Sequence, residues 1–351
     1  MIQKLKDVCF QNRYSQLDAE SIMDLACDSH DVKLLPSSKN YDLFTTYEKA
    51  SAAICHGEVI TLGKARYANI KYWNGDFVSS NNNIIESRDN NLLRGRYLYY
   101  FLSYSAKDYY VEATTYPKFD QKSFDEHTID VPDIYTQDKR LEILDSLTEL
   151  IEKEELQIKQ FDELTKSRFN EMFGKDIKIV KIGDVLKTTS GGTPSKGKLE
   201  YYLNGNIPWL CSGEVNAGII TEVKNKITEL GLKNSSAKWI PENSVVVAMY
   251  GATAGKVGLL KIKTTTNQAV CSILPDSKFV PEFLYYAVGS KTEELVSKAW
   301  GGAQPNISQG IIKNTCIPFP SLAQQNEFAS FVAEVDKLKF NVQKRIEKYK
   351  E

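Results

Sequence analysis

The stretch QDKRLEILDSLTELIEKEELQIKQFDELTKSRFNEMF, residues 137–173, contains neither Pro nor Gly and decides the fold of this chain. Its apolar residues recur at helical spacing and form one stripe, while most other positions are Glu, Lys, Asp or Gln. At 1.5 Å per residue the stretch forms a helix of about 55 Å, a length and pattern typical of a helix that pairs with another helix. Gly174 is predicted to end it. The stripe consists of Leu144, Leu147, Ile151, Ile158 and Phe161, followed less regularly by Leu164, Phe169 and Met172.

A second stretch, residues 322–351, has the same character and is predicted to be a second long helix. Because each helix has one apolar stripe and a charged remainder, we expect the two helices to pack against each other. The stripe of the second helix consists of Phe331, Val332, Val335, Leu338, Val342 and Ile346.

The segments that precede the two helices are similar in sequence, which indicates an internal repeat. Residues 112–144 align without a gap on residues 300–332, and this alignment places Gln137 on Gln325. Collinear matches over such a length favour a duplication of one unit.

The repeat extends upstream of this alignment. Residues 97–100 (YLYY) match residues 283–286 (FLYY), and residues 5–8 (LKDV) match residues 182–185 (IGDV). The chain is therefore predicted to be two copies of a globular domain followed by a long helix. The predicted boundaries are 1–132 for the first globular domain, 133–175 for the first long helix, 176–320 for the second globular domain and 321–351 for the second long helix.

Each globular domain is predicted to be α+β. Short β-rich segments are separated by turns rich in Gly, Asn and Lys, and a helical segment follows them. The clearest predicted strands are 58–62, 245–249, 257–260 and 269–273, and the predicted helices are 92–105 and 281–298.

Composition is that of a soluble globular protein, with 42% hydrophobic and 25% charged residues. The sequence contains no run of about 18 apolar residues, so we expect a cytoplasmic protein. The six cysteines are scattered without a C-x-x-C pair and only three histidines accompany them, so no metal site is predicted. A net charge of −1 does not itself indicate nucleic-acid binding.

Motifs of the common catalytic classes are absent from the sequence. It contains no dinucleotide or P-loop glycine pattern, no H-E-x-x-H, no G-x-S-x-G and no Asn-Pro-Pro-Tyr run. Asp184 and Glu214 are predicted to be capping or turn residues rather than acid–base groups, and Trp209 is predicted to be a core residue. An enzyme that acts alone is the least favoured class.

Three loops of the second copy, residues 188–196, 250–256 and 300–306, are rich in Gly, Ser, Thr, Gln and Asn. They are either ordinary turns between strands or a binding surface. The second interpretation rests on their chemistry, because backbone N–H groups, hydroxyls and a nearby Lys can bind phosphate, and Gln and Asn can pair with adenine. The predicted DNA-contacting residues are Lys64, Arg66, Tyr67 and Lys118 in the first copy and Thr189, Ser190, Gly191, Gly192, Thr193, Lys196, Thr253, Lys256, Gly302, Gln304 and Asn306 in the second.

The sequence resembles the specificity subunit of type I restriction-modification systems. In the first copy, residues 115–117 (TYP) stand where Gly-Gly is usual, so the resemblance is weaker there. The segments that carry it are 166–174 (KSRFNEMFG), 180–185 (VKIGDV), 190–194 (SGGTP), 207–215 (IPWLCSGEV), 245–258, 283–286 (FLYY) and 317–325 (IPFPSLAQQ).

The resemblance implies two similar target-recognition domains joined by an antiparallel coiled coil of the two long helices, as a pseudo-twofold repeat. Each domain would read one half of a bipartite site in double-stranded DNA, and the helices would set the spacing. Modification (methyltransferase) subunits would dock on the helices and nearby regions, where Gln137 and Gln325 are the predicted contacts. Restriction/translocase subunits would join for cleavage. S-adenosylmethionine, ATP and Mg are expected in partner subunits, and this chain would hold no cofactor and no catalytic residue.

Two alternatives remain open from the sequence. One is the specificity subunit of a related system that cleaves on both sides of its bipartite site. The other is a coiled-coil scaffold whose globular domains bind protein partners.

Overall fold

The computed structural model describes residues 1–38, 42–64, 69–112, 116–299 and 306–351. It divides into two compact units, Met1–Leu150 and Ile151–Glu351. Both units combine helices with β-sheets, which confirms the predicted α+β class. The first unit contains helices α1 (Leu5–Val8), α2 (Ala19–Asp24), α3 (Tyr47–Ala50), α4 (Gly95–Tyr104) and α5 (Gln121–Glu126) and the first part of α6 (Ile134–Phe173). The second unit contains the remainder of α6 and helices α7 (Ile182–Val185), α8 (Glu229–Lys233), α9 (Pro281–Gly289), α10 (Thr292–Ser297), α11 (Gln309–Asn314) and α12 (Leu322–Lys350).

The central sheet of the first unit has six strands in the order β2-β7-β5-β6-β3-β4. It is antiparallel except between β3 and β6, which run parallel. Two smaller pairs, β1-β10 and β8-β9, accompany it. The strands are β1 (Ile2–Lys4), β2 (Cys9–Gln11), β3 (Val32–Leu35), β4 (Leu43–Thr45), β5 (Cys55–Gly63), β6 (Ile70–Ser79), β7 (Asn82–Ser87), β8 (Tyr110–Val111), β9 (Lys118–Phe119) and β10 (Thr128–Asp130).

The central sheet of the second unit has five strands in the order β12-β20-β17-β18-β14, again with one parallel pair, β14 and β18. This order repeats β2-β7-β5-β6-β3 of the first unit. A second sheet, β15-β13-β19-β16, has no counterpart among the described residues of the first unit. The strands are β11 (Ile179–Lys181), β12 (Thr188–Ser190), β13 (Ile207–Leu210), β14 (Ile219–Ile220), β15 (Lys226–Ile227), β16 (Trp239–Ile240), β17 (Val245–Ala248), β18 (Val257–Leu260), β19 (Thr264–Thr266), β20 (Val270–Ile273) and β21 (Cys316–Pro318).

The internal repeat holds at the level of strand register. Ile2 pairs with Asp130 in the first unit, and Ile179 pairs with Pro318 in the second. Asp130 and Pro318, the second members of these two pairs, are 188 residues apart, which is the offset of the sequence alignment. Helices α5 and α11 differ by the same offset at both of their ends. The duplication predicted from sequence is therefore confirmed.

The predicted helix at 281–298 was wrong in one respect, because the chain forms two helices there, α9 and α10. The helix breaks at Ser290 and Lys291, and the Thr292 hydroxyl donates a hydrogen bond to the Gly255 carbonyl at 3.0 Å. The break allows Leu295, which is fully buried, to pack into the core of the unit. Tertiary packing overrides helix propensity at this position.

The second part of α6 packs against α12 within the second unit. Phe169 and Phe173 lie in one aromatic cluster with Phe283 of α9 and Phe328 of α12, at centroid distances between 4.9 and 6.0 Å. This burial accounts for the apolar stripe at the end of the first long helix.

Ion pairs give the direction of the two helices. Glu154 of α6 accepts two hydrogen bonds from Arg345 at 2.7 Å each, and Arg168 donates to Glu327 at 3.1 Å. The later residue of α6, Arg168, pairs with the earlier residue of α12, Glu327. The two helices therefore run antiparallel in this unit, as predicted.

Candidate nucleic-acid interface

Strand pairing brings the polar loops of the second unit to one edge of its central sheet. Ser190 at the end of β12 pairs with Cys271 near the start of β20, and Cys271 pairs with Val247 near the end of β17. The segments that follow β12 and β17 and precede β18 and β20 therefore meet. We name this edge, formed by residues 191–198, 249–256 and 267–269 together with Asn306, the second loop edge.

Side-chain contacts connect the segments of the second loop edge. The Thr193 hydroxyl donates to the Gln268 side-chain oxygen, and the Thr253 hydroxyl donates to the Ser212 carbonyl at 2.9 Å. Asn306 forms an isolated β-bridge with Tyr250. Two of the three predicted loops thus lie together, and of the third only Asn306 lies within the described residues.

Gly191 and Gly192 are buried, and packing explains why both are glycine. A Cβ atom at Gly191 would lie 1.8 Å from the Thr266 carbonyl oxygen, and one at Gly192 would lie 2.6 Å from the Ser236 backbone. The Gly192 N–H already donates to the Thr266 carbonyl at 3.0 Å, and the Gly192 carbonyl accepts a hydrogen bond from Trp209. The backbone of Gly192 is therefore engaged inside the unit, and DNA contact by these two glycines stays a prediction.

The polar side chains next to these glycines are more accessible. Thr189, Ser190 and Thr193 are half-buried, whereas Lys196 and Lys256 are exposed. Within the described part of the chain neither ammonium group has an ion-pair partner. Lys196 lowers the pKa of Cys211 slightly, although burial outweighs it and raises that pKa to about 11. Unpaired ammonium groups on polar loops are suited to phosphate contacts.

Three further sequence predictions concern neighbouring residues, and the structure confirms two of them. Trp209 is 8% exposed and its indole N–H donates to Gly192, so it is a core residue. Glu214 accepts hydrogen bonds from the Cys211 and Lys224 backbones, so it is a turn residue. Asp184 lies in the first turn of α7, and its capping role stays a prediction.

The first unit places its candidates at the corresponding edge. Lys64 follows β5 and Lys118 begins β9, and the Phe119 N–H donates to the Lys64 carbonyl at 3.3 Å. Both lysine side chains are exposed. We name this end of the sheet the first loop edge. The other candidates, Arg66 and Tyr67 here and Gly302 and Gln304 in the second unit, lie outside the described residues.

Sequence reasoning missed Lys71, the second residue of β6. Its side chain is 3% exposed and its ammonium group donates to the Pro36 carbonyl and to the Ser38 carbonyl, the latter at 2.7 Å. Burial, assisted by Lys33, lowers the pKa of Lys71 to about 8. Strand pairing makes Lys256 its counterpart in the second unit, so one scaffold position holds a buried lysine in one unit and an exposed lysine in the other. A strand pattern alone carries no signal for such a difference.

Gln137 connects the start of α6 to the globular part of the first unit. Its amide nitrogen donates to the Leu92 and Pro132 carbonyls at 2.8 Å each, and its oxygen accepts from the Arg94 N–H at 2.9 Å. The side chain is fully buried.

Gln325 repeats this arrangement at the start of α12. Its amide nitrogen donates to the Lys278 and Pro320 carbonyls at 3.0 and 3.1 Å, and its oxygen accepts from the Val280 N–H at 2.8 Å. It is also fully buried. We name each three-bond arrangement a glutamine latch. Both side chains thus serve the fold, and their predicted contact with a partner remains a prediction.

Comparison with known proteins identifies the class to which this fold and these loop edges belong. The sequence profile of the family described as "Type I restriction modification DNA specificity domain" matches residues 4–160 and 174–348. Because the match covers most of the chain, the chain belongs to this family. It is a DNA-specificity subunit, a non-catalytic component that acts with DNA and with the other subunits of a type I restriction-modification system.

Individual relatives carry the same description. The chain is 26% identical over 336 residues to the type I restriction enzyme EcoR124I/EcoR124II specificity subunit of Escherichia coli, covering 89% of this chain and 81% of that one. It is 31% identical over 178 residues to the type I restriction enzyme MjaIX specificity subunit of Methanocaldococcus jannaschii, and this match covers 49% of this chain and 41% of that one.

Solved structures support the fold. The type I restriction-modification S subunit from M. genitalium matches with a TM-score of 0.54 and 13% identity, covering 100% of this chain and 92% of that one. A chain from a structure of the type I R-M system, titled for complex assembly and conformational transition, matches with a TM-score of 0.56 and 14% identity, covering 100% and 94%.

The described residues lack two further kinds of feature. No helix in the described ranges combines the length and apolar character that crossing a membrane requires. The same ranges contain no group of three or more His, Cys, Asp or Glu residues placed to hold a metal ion.

Proposed function

We propose that each unit reads one half of a bipartite DNA sequence through its loop edge, and that the two long helices set the spacing between the half-sites. In this proposal the first target-recognition domain is 1–132, the second is 176–320, and the spacer helices are 133–175 and 321–351. The contacts come from polar side chains of the two loop edges, chiefly the exposed Lys64 and Lys118 in the first and the exposed Lys196 and Lys256 with the half-buried Thr193 in the second.

The observation that carries this proposal is a repeated scaffold with different residues at the same edge. Strand order, the β1-β10 and β11-β21 register and both glutamine latches recur. The loop edges, in contrast, differ in length and composition. Base contacts specify sequence, so two edges with different side chains on one scaffold are suited to two different half-sites.

The proposal extends to the partners and their cofactors. Modification subunits dock on α6, α12 and the adjoining surfaces near Gln137 and Gln325, and they carry S-adenosylmethionine for adenine methylation. Restriction/translocase subunits, which use ATP and Mg, join for cleavage. The near-neutral net charge of −1 supports sharing of DNA-backbone contacts with partners, because a domain that binds DNA alone usually has a basic excess.

A domain exchange tests the proposal. Residues 177–316 are replaced by the corresponding region of another family member, and the assembled complex is assayed by mapping methylated adenines in host DNA. We expect one half-site to change while the other half-site and the spacing stay the same. The matched control replaces the globular region of the first unit, and it should change the other half-site only.

Two outcomes would contradict the proposal. A scaffold that binds only protein would leave the methylated sequence unchanged after either exchange. A single continuous recognition site would change as a whole, without a preserved half. A related system that cleaves on both sides of its site would pass this test and would differ in the cleavage pattern of the complete complex.

A further inference from the structure

The second unit contains a cavity of about 690 Å³ between α6, the end of α9 and the start of β18. Its size lies within the range of small-molecule sites, about 300–1,000 Å³. The proposed function places one lining residue, Lys256, at the second loop edge but assigns no role to the cavity itself. Its lining residues include Lys166, Phe169, Asn170, Lys256, Val257 and Tyr285, together with Tyr286, Gly218 and the 289–293 segment.

Two adjacent tyrosines form the aromatic wall of the cavity. The rings of Tyr285 and Tyr286 lie 5.0 Å apart, nearly perpendicular to each other. Gly218, at φ 74°, leaves room for the Tyr285 hydroxyl, since a Cβ there would lie 3.3 Å from it. Burial raises the pKa of both tyrosines, so both hydroxyls are protonated donors at neutral pH. Neither hydroxyl has a hydrogen-bond partner among the residues that the structure describes.

The first unit fills the equivalent space with its own side chains. Tyr99 and Tyr100 correspond to Tyr285 and Tyr286, and the Arg96 guanidinium lies 5.5 and 5.4 Å from their ring centroids. The Tyr100 hydroxyl donates to Asp145 at 2.6 Å. The first pair of tyrosines therefore has an internal cation and an internal acceptor.

Among its described residues, the second unit has no cation at the Arg96 position and no hydrogen-bond acceptor at the Tyr286 hydroxyl. Its residue at the Arg96 position is Glu282, which pairs with Lys261 at 2.7 Å. Strand register places Val257 at the position of Tyr72, whose ring lies 4.8 Å from the Arg96 guanidinium. The cavity thus results from specific replacements on the repeated scaffold.

Charge favours an anionic occupant. Lys166 and Lys256 line the cavity and lack an ion-pair partner in the described ranges, while Glu293 is the lining carboxylate. The lining residues themselves therefore sum to one positive charge. Asp162 and Asp336 act on both tyrosines from nearby and raise their pKa, and Lys339 pairs with Asp162 at 2.5 Å. Tyrosine rings and the Phe169 and Val257 side chains add surfaces on which a flat aromatic group can pack.

We propose that this cavity binds a nucleotide, with the base against Tyr285 and Tyr286 and the phosphate at Lys166 and Lys256. Its source is either a free mononucleotide or an unpaired nucleotide of a nucleic-acid strand, since the two share this chemistry. The inference goes beyond the proposed function, because bipartite recognition of duplex DNA does not require the cavity.

The test is isothermal titration calorimetry of the full chain with four probes: adenosine monophosphate, adenosine, inorganic phosphate and a 12-nucleotide single-stranded oligonucleotide. We expect the monophosphate to bind in a saturable manner and more tightly than adenosine or phosphate. If the oligonucleotide binds and the monophosphate does not, and the three variants described below weaken binding of the oligonucleotide, the nucleotide comes from a strand.

Three variants connect binding to the cavity. Lys166→Ala should weaken binding about tenfold by removing a charged donor to the phosphate, and Tyr285→Phe about fivefold by removing the hydroxyl donor beside the base while the ring remains. Val257→Tyr imitates the first unit and should abolish binding by filling the space. Lys233→Ala, which removes an exposed lysine of α8 outside the cavity, is the matched control and should leave the affinity unchanged. Circular dichroism confirms that each variant is folded.

Several results would overturn the inference. These are no saturable binding of either nucleotide probe, equal affinity for phosphate and monophosphate, or binding that persists in all three variants. Binding of a glutamate-rich decapeptide in place of the nucleotide, with the same loss in Lys166→Ala, would also overturn it. The domain-exchange test of the proposed function uses a different readout, so the two proposals can fail independently.

Discussion

The two units share one scaffold and differ in how they extend it. In the first unit the central hairpin is long, with nine residues in β5 and ten in β6. In the second unit the corresponding strands β17 and β18 have four residues each, and a separate four-stranded sheet is added. The paired termini, the short helix before the last strand and the glutamine latch are the same in both. The shared elements adjoin the long helices, and the different elements lie in the sheets and loops.

This distribution separates two physical requirements. A latch satisfies two carbonyls and one N–H with a single fully buried side chain, so an apolar replacement leaves part-buried backbone groups unpaired. A hairpin extension or an added sheet, in contrast, satisfies its own backbone hydrogen bonds. The molecule can therefore vary its recognition surfaces without disturbing the junction with the helices.

The largest expected effect is the loss of a latch. Gln325→Ala should lower the free energy of unfolding of the second unit by about 3–5 kcal/mol, since it empties a fully buried position and three backbone groups lose their partner. Gln137→Ala should have an effect of the same size on the first unit. Urea denaturation followed by hydrogen exchange in each unit measures both values.

The control for the latches is Gln121→Ala, which removes an exposed glutamine side chain of α5. It should change stability by less than about 0.5 kcal/mol. If one latch variant is as mild as the control, the two units are not held by equivalent junctions and the comparison fails.

The next effect concerns the tightly packed loop that follows β12 in the second unit. Gly191→Ala would place a methyl group 1.8 Å from the Thr266 carbonyl oxygen, so the backbone must move. We expect a loss of about 3 kcal/mol in unfolding free energy, as for overpacked cores. Gly197→Ala in the same loop is the control, because no atom lies within 4 Å of its built Cβ. Equal stability of the two variants would contradict the packing account.

A smaller effect should follow from replacing Arg96, whose side chain in the first unit occupies the space that corresponds to the cavity of the second unit. Arg96→Met removes the contact to three tyrosine rings and the ion pair with Asp145 at 3.0 Å. We expect a loss of about 1–2 kcal/mol, because the side chain is partly exposed to solvent. Glu282→Gln, at the same scaffold position in the second unit, breaks one half-exposed pair and should cost less than about 1 kcal/mol. The reverse order in thermal or urea unfolding would show that the filled space does not stabilise the first unit.

The sequence predicted the repeat, both long helices and their pairing because these depend on periodicity and on collinear matches, whereas their antiparallel direction was implied by the family resemblance. Helix α6, Ile134–Phe173, begins three residues before the predicted 137–173 stretch and ends at the same residue. The break between α9 and α10 was not predicted, since it depends on the contact of Thr292 with Gly255 across the fold.

Candidate site residues were predicted less completely. Loop composition identified segments that strand pairing does bring together, but it could not separate exposed from buried members. Gly191 and Gly192 are packed by Thr266 and Ser236, which lie far away in the sequence. Lys71 was missed for the same reason, because its burial depends on the Pro36 and Ser38 carbonyls.

The smallest effect concerns the exposed lysines of the two loop edges. Lys118→Ala and Lys196→Ala should each weaken binding of the assembled complex to its DNA site about three- to tenfold at moderate salt. Each should also reduce the slope of log K against log salt by about 1, because each ammonium group that contacts a phosphate releases about one counterion. Filter binding or fluorescence anisotropy at several salt concentrations measures both quantities. Lys233→Ala, an exposed lysine away from the loop edges, is the control and should leave the slope unchanged. If Lys118→Ala lowers the slope and Lys196→Ala does not, DNA contacts only the first loop edge, and the functional equivalence of the two units is wrong even though their scaffold is shared.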